Sequence, residues 1–254
     1  MEGAGRAAWL VMEFEDDAFV LSARPHGETG AIVEFVTRLH GKYAAHVAGA
    51  ASRKLKPFLQ PGARATVRFR ARTAEQLGSA SVEPEGGGPA GLFDDPLALA
   101  GLSAAASVAA GALPEREPHP GAFLGFEAFI AALDAAEIWP AVYVRFEAGL
   151  LADLGYGLDL SRCAVTGQLD DLVYVSPRTG RAVSAAAGAD YRDRLLALPP
   201  FLLSSQGGLS PGDVGAGLAI TGHFLERHVF GPLNRPLPPA RHWLLDRLAE
   251  AGWL

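Results

Sequence analysis

The residues with chemical potential in this chain are seven histidines, one cysteine and 28 carboxylates, and their spacing decides what they could do. "GLSPG" (208–212) has the G-x-S-x-G form of a nucleophile elbow, in which the residue after the serine donates its backbone N–H to an oxyanion. Here that residue is Pro211, which has no N–H. The stretch reads instead as a helix start, with Ser210 as N-cap, Pro211 at the first position and Asp213 in the first turn. In "HFLERH" (223–228) the two imidazoles are five residues apart, about 140° around a helix. The zinc-binding H-E-x-x-H and H-x-x-E-H patterns need them one turn apart, so His223 and His228 read as helix-surface residues. His26-x-Glu28 starts like a zinc-deaminase signature, but that signature also needs P-C-x-x-C. With one cysteine it cannot be completed, and both residues read as part of a turn. No phosphate-binding G-x-x-x-x-G-K-[ST] is present, and "GDVGAG" (212–217) lacks the preceding strand of a dinucleotide site. Catalytic chemistry is not expected.

The cations are more informative. The formal net charge is −6, yet between Val20 and Val82 ten basic residues face only three acids (Glu28, Glu34 and Glu75), leaving +7 there and −13 elsewhere. In "ATVRFRAR" (65–72) and the residue before it, Arg64, Arg68, Arg70 and Arg72 alternate, so on a strand all four share one face. Four arginines cannot line a core, so that face is solvent or ligand. "SRKLKPF" (52–58) adds Arg53, Lys54 and Lys56, and Arg24 and Lys42 extend the set. Arginines in such a field bind phosphate and stack on bases. A solvated charged face is the alternative, and the local shortage of acids favours nucleic acid.

The only cysteine lies in "LSRCAVTGQLDDLVYVSPRTGRAVSAAAG" (160–188), laid out like the small hairpins that zinc often pins. One thiol pins nothing by itself. Cys163 is therefore a reactive group, a remnant of a metal site or a small buried residue. A chain with one cysteine also forms no intrachain disulfide, which fits a reducing cytoplasm.

The elements that position these residues divide in two. "AFVLSAR" (18–24), "AIVEFVT" (31–37), "YAAHVAG" (43–49) and "ATVRFRAR" (65–72), with a weaker "LGSASVE" (77–83), are short strands separated by turn residues, the pattern of a small barrel. "EPEGGGPAG" (83–91) breaks every periodicity and marks a linker over 85–94. Beyond it the spacing turns helical: 95–112 with Asp95 as N-cap, 118–136, 140–156 ending at Gly155 or Gly157, 211–230 and 238–252. The hairpin and "YRDRLLAL" (191–198) interrupt these helices. Residues 1–11 read as a mobile extension without the features of a secretory signal. No apolar run reaches the length of a membrane span, so a soluble protein is expected. The fold class is α+β: a barrel over 12–84, then a helical domain over 95–254 with the hairpin at 160–188.

Three stretches resemble the RecO family of bacterial DNA repair and recombination mediators. "HGETGAIVEFVTRLHGK" (26–42) is similar to its early barrel strands, "SRKLKPFLQPG" (52–62) to its basic loop and "RFEAGLLADLGYGLDLSRCAVTG" (145–167) to its central helix and exit. The resemblance runs from about Glu13 to the C-terminus and rests on the ordered set, since no piece is a catalytic signature. It implies an N-terminal OB-fold and a helical domain, binding of single- and double-stranded DNA, strand annealing and no nucleotide hydrolysis. It also implies RecR as a partner, together with the C-terminal tail of single-stranded DNA-binding protein, on which the family helps load recombinase. An acidic-hydrophobic tail needs an apolar groove with cations, and Arg145, Arg192, Arg194, Arg227 and Arg241 are the candidates. Many members hold zinc through C-x-x-C…C-x-x-C, and the matching positions here are Cys163, Thr166, Val183 and Ala186. Structural zinc takes four N or S ligands, so no metal or other cofactor is expected. Cys163 then reads as a small, partly buried residue, with Val173, Val175 and Val183 packing the hairpin and Gly167 and Gly180 making its turns. The competing reading is a protein-interaction adaptor whose basic barrel binds RNA or an acidic protein.

Overall fold

The structure, a computed structural model, describes residues 12–73, 76–86, 95–204, 207–210 and 212–254. The expected N-terminal extension, most of the linker and Pro211 lie outside the described residues. The chain falls into two compact units, and the segment Pro114–Pro118 belongs with the first.

Alternation of inward apolar and outward polar residues builds the first unit. Its strands are β1 (Met12–His26), β2 (Gly30–Thr37), β3 (Gly41–Val47), β4 (Arg64–Ala71) and β5 (Gly78–Pro84). They close in the order β1-β2-β3-β5-β4, an OB-like barrel. β1 begins six residues before the expected strand, because "MEFEDD" also alternates: Glu13 and Glu15 are exposed, while Phe14 packs on the core. A bulge between Val20 and Ser22 bends β1, so its first half pairs with β4 and its second with β2. Bulges serve this purpose where a strand must turn a barrel corner. Inside, Phe14 stands 4.9 Å from Tyr43 and 5.1 Å from Phe69, ring centre to ring centre. Each such pair contributes about 0.5–1.5 kcal/mol beyond its buried area. Asp16, a buried carboxylate of the barrel, accepts from Leu39 N–H and bonds His40 Nδ1, both at 2.8 Å.

Pro114–Pro118 completes this unit. Arg116 N–H donates to the Lys42 carbonyl at 2.8 Å, and Lys42 and Glu115 form a parallel bridge. Only glycine serves at position 41: its φ is +83°, and a Cβ there would sit 1.9 Å from the Glu117 carbonyl oxygen.

The second unit starts with α1 (Pro96–Ala112), whose N-cap Asp95 accepts from the backbone N–H groups of Leu97 and Ala98, as its sequence predicts. The helices α2 (Pro120–Ala132) and α3 (Trp139–Asp153) pack on each other. Phe123, Phe126, Phe129, Trp139, Tyr143 and Phe146 are buried between the helices. The hairpin is β6 (Leu172–Val175) and β7 (Ala182–Ser184). α4 (Ala185–Gly188) and a 3-10 turn over Ala189–Arg194 follow, then β8 (Leu196–Ala197), which joins β6 in a three-stranded sheet. Residues 191–198, set among helical patterns, are therefore turn and strand. After α5 (Pro200–Leu203) come α6 (Asp213–Leu225) and α7 (Pro239–Glu250). α6 is shorter than the expected 211–230, because Glu226–Phe230 widen into a π-helical turn. Its start also differs: Gly212 is the N-cap, and the Asp213 carboxylate accepts from Ser210 N–H at 2.7 Å. Ser210 is thus the residue captured, not the cap.

Candidate nucleic-acid interface

β4 presents Arg64, Arg68 and Arg70 outward as the alternation requires, and Arg72 is exposed just past its end. The face they make is not purely cationic. β1 runs antiparallel beside β4, with Glu15 opposite Arg68 and Glu13 opposite Arg70. Arg68 Nε donates to Glu15 at 2.9 Å, and Arg70 pairs with Glu13 at 2.8 Å. Arg64 lies 3.3 Å from Asp17 and 3.1 Å from Glu85. The hydrogen bond and charge of Glu15 hold the Arg68 guanidinium above its ordinary range. The charge excess counted from Val20 shrinks accordingly. Counting over Met12–Pro84 adds Glu13, Glu15, Asp16, Asp17 and Glu83 and no base, so +7 becomes +2.

The unpaired cations are elsewhere. Arg24 near the end of β1, and Arg53, Lys54 and Lys56 in the loop before β4, are exposed and have no ion-pair partner among the described residues. The loop is built, not loose. Leu59 is buried and Leu55 packs on the barrel core. Leu55 and Lys56 N–H groups both donate to the Ser52 carbonyl, and Ala51 N–H donates to Thr29 in the β1–β2 turn. The apolar anchors hold the backbone while the intervening cations point to solvent. Lys42 departs from expectation: it is only 9 % exposed, beneath the Pro114–Pro118 segment that pairs with its backbone, and is not a surface cation.

Sequence reasoning missed the residues beside Arg68 and Arg70. His46, Ala48, Ser79, Ala80 and Ser81 line a shallow groove of about 350 Å³ with them. This groove exists because β3 pairs in parallel with β5, His46 opposite Ser79, a long-range contact with no local signature. His26, read as a turn residue, stands edge-on to His46 at 5.8 Å.

On the helical unit the five candidate tail-binding arginines have different surroundings. Arg145 borders a cleft of about 690 Å³ with Ile138, Ala141, Val142, Phe201 and Trp253. Its guanidinium donates to the carbonyls of Phe201 and Ser204. Arg192 and Arg194 are exposed on the 3-10 turn, and Arg227 donates to the Pro177 carbonyl. Arg241 is not available to any ligand. It is 3 % exposed and grips Glu147, which is fully buried, at 2.7 and 3.0 Å. Thr221 and Tyr143 hydroxyls also donate to that carboxylate. Spacing could not reveal this, since 94 residues separate the two charges.

At the hairpin, Cys163 is buried and its Sγ accepts from the N–H and Oγ of Ser184 at 3.3 and 3.4 Å. Thr166 is exposed, Val183 is buried in β7 and Ala186 lies in α4. One thiol, one hydroxyl and two hydrocarbon side chains do not fit a tetrahedral zinc site. Among the described residues no group of three or more His, Cys, Asp or Glu could hold a metal ion. Among the same residues, no helix is long and apolar enough to cross a membrane.

Family models agree with this two-part layout. Residues 12–84 match Recombination protein O N terminal, and residues 94–236 match Recombination protein O C terminal. The chain is 76% identical over 243 residues to the DNA repair protein RecO of Phenylobacterium zucineum, covering 96% of this chain and 100% of that one. It is 75% identical to that of Caulobacter vibrioides strain NA1000, again over 96% and 100% of the two chains. The RecO of Rhodospirillum centenum is 52% identical over 94% and 96%. With both halves matched in order and relatives aligned along almost their entire length, the chain belongs to the RecO family of DNA repair proteins.

Proposed function

We propose that this protein is a non-enzymatic mediator of repair in the bacterial cytoplasm. It binds single- and double-stranded DNA on its barrel and anneals complementary strands. With RecR it helps load recombinase onto DNA coated by single-stranded DNA-binding protein, whose C-terminal tail docks on the helical unit. The observation that carries the DNA reading is the anchored loop that holds Arg53, Lys54 and Lys56 exposed beside a barrel whose other cations are largely paired. Arg24 adds to that field, and the groove with Arg68 and Arg70 extends it once phosphate displaces Glu13 and Glu15. The apolar cleft bordered by Arg145 and Ile138 suits an acidic-hydrophobic tail.

Titration of fluorescent single-stranded DNA at several salt concentrations tests the first part. Each phosphate neutralised on a single strand contributes about −0.7 to the slope of log K against log salt. R53A/K54A/K56A should therefore flatten that slope by about 2 and weaken binding at least about tenfold at low salt. An unchanged slope and affinity would overturn the loop as the contact. Failure of the full chain to accelerate annealing would favour an adaptor for RNA or an acidic protein. For the tail, I138D should abolish peptide binding while R192A/R194A leaves it intact; the reverse would move the tail to the 3-10 turn.

A further inference from the structure

Three aromatic rings form one column on the helical unit. Phe224 at its base is buried, His228 is half-buried and Tyr156 at the top is 44% exposed. The planes of Phe224 and His228 are 3° apart with centroids at 5.9 Å, and those of His228 and Tyr156 are 11° apart at 5.0 Å. Burying Phe224 and His228 is ordinary core packing. Setting a tyrosine parallel on top, with its ring reaching solvent, is not required by that packing.

Two backbone devices position the column. α3 ends in a Schellman motif: Tyr156 N–H donates to Leu151 carbonyl at 2.7 Å and Gly155 N–H to Ala152 at 3.0 Å. Gly155 takes φ +86°, the left-handed conformation that this motif needs, and the next residue is set over His228. On the other side the π-helical turn Glu226–Phe230 carries His228. Such turns concentrate at functional sites. His223 Nε2 and Arg227 both reach the Pro177 carbonyl, at 2.8 and 3.0 Å, which ties the β6–β7 turn to α6. Arg178, next in that turn, is exposed. Asp159, a nearby acid, is engaged by Arg181 and Ser161, while Glu226 is exposed beside Arg227. Burial, then the charges of Arg227 and His223, hold the His228 imidazole below its ordinary range. The neutral imidazole is thereby favoured under Tyr156, and attraction for phosphate rests on the arginines.

We propose that Tyr156 is a stacking platform for a base of single-stranded DNA, with Arg178 and Arg227 taking the neighbouring phosphates. This second contact, on the helical unit, rests on the DNA-binding reading above. An exposed ring plane beside cations is what sequence-independent strand binding uses, and Arg227 keeps donors to spare after its bond to Pro177.

The test uses the full chain and a 30-nucleotide oligothymidine, with a second oligonucleotide carrying 5-iododeoxyuridine for photocrosslinking. Tyr156→Ala should weaken oligothymidine binding about tenfold, Tyr156→Phe should retain it within about twofold, and the crosslink should map to Tyr156. Wild-type affinity in Tyr156→Ala, with crosslinks confined to the barrel, would overturn the platform and leave the DNA reading standing. A wild-type protein that binds no oligonucleotide would overturn both. If Tyr156→Ala loses tail peptide or RecR but keeps DNA, the ring docks protein and the proposal fails. Should Tyr156→Ala melt early by circular dichroism, the wild-type crosslink alone decides.

Discussion

Glu147 and Arg241 show what one buried pair asks of a fold. Both charges are withdrawn from water, and the structure compensates with a two-point contact plus donors from Tyr143 and Thr221. Removing one partner leaves the other charged and unsatisfied, which costs about 3–5 kcal/mol. Arg241→Ala should therefore lower the urea midpoint far more than Arg192→Ala, whose side chain is exposed; equal midpoints would contradict the burial. Cys163 is the opposite case, a small group held by small forces. Its sulfur takes two hydrogen bonds from Ser184, and Val175 and Val183 of the same hairpin are buried. The hairpin is proposed to stand without metal. Purified protein should carry well under one zinc per chain by elemental analysis, and a chelator should leave its melting temperature unchanged. Stoichiometric zinc would reverse that reading.

At the scale of elements, the β1–β4 ladder governs how much of the arginine face DNA can use. Exposed ion pairs are worth only about 0–1 kcal/mol each, so a phosphate can displace Glu13 or Glu15 at modest cost. E13Q/E15Q should then tighten DNA binding about threefold to tenfold and steepen its salt dependence, as anisotropy titrations would reveal. No change would mean that strands pass over the loop alone. The strands of the barrel and the helices around Asp95 and Gly155 were legible from alternation, caps and breakers. The start of β1 was not, because its outward glutamates mask an inward Phe14 in a strand that reads as acidic. The π-turn was equally hidden, since its helical periodicity continues through Phe230 while the ladder shifts by one residue.

For the whole molecule, the charges set the kinetics of the proposed encounter. The chain carries −6 overall, so its far field repels DNA while the loop at Arg53–Lys56 attracts at short range. Steering by net charge is weak in such a case, and salt should act chiefly on the dissociation rate. Stopped-flow mixing across a salt series should show dissociation accelerating steeply while association changes little. A strongly salt-slowed association would argue for a larger cationic surface than the loop.

Local chemistry in the sequence was enough to determine the two-part architecture, the family and the place of the cationic loop. Each of these depends on neighbours in the chain: alternation, turn residues and breakers. Tertiary structure alone decided which arginines are exposed, which are paired and which are buried. Arg68 meets Glu15 across 53 residues and Arg241 meets Glu147 across 94; Lys42 is covered by a segment more than 70 residues on. A charge counted along the chain becomes a binding surface only after folding has assigned its partners, because counter-charge acts through space and not through sequence.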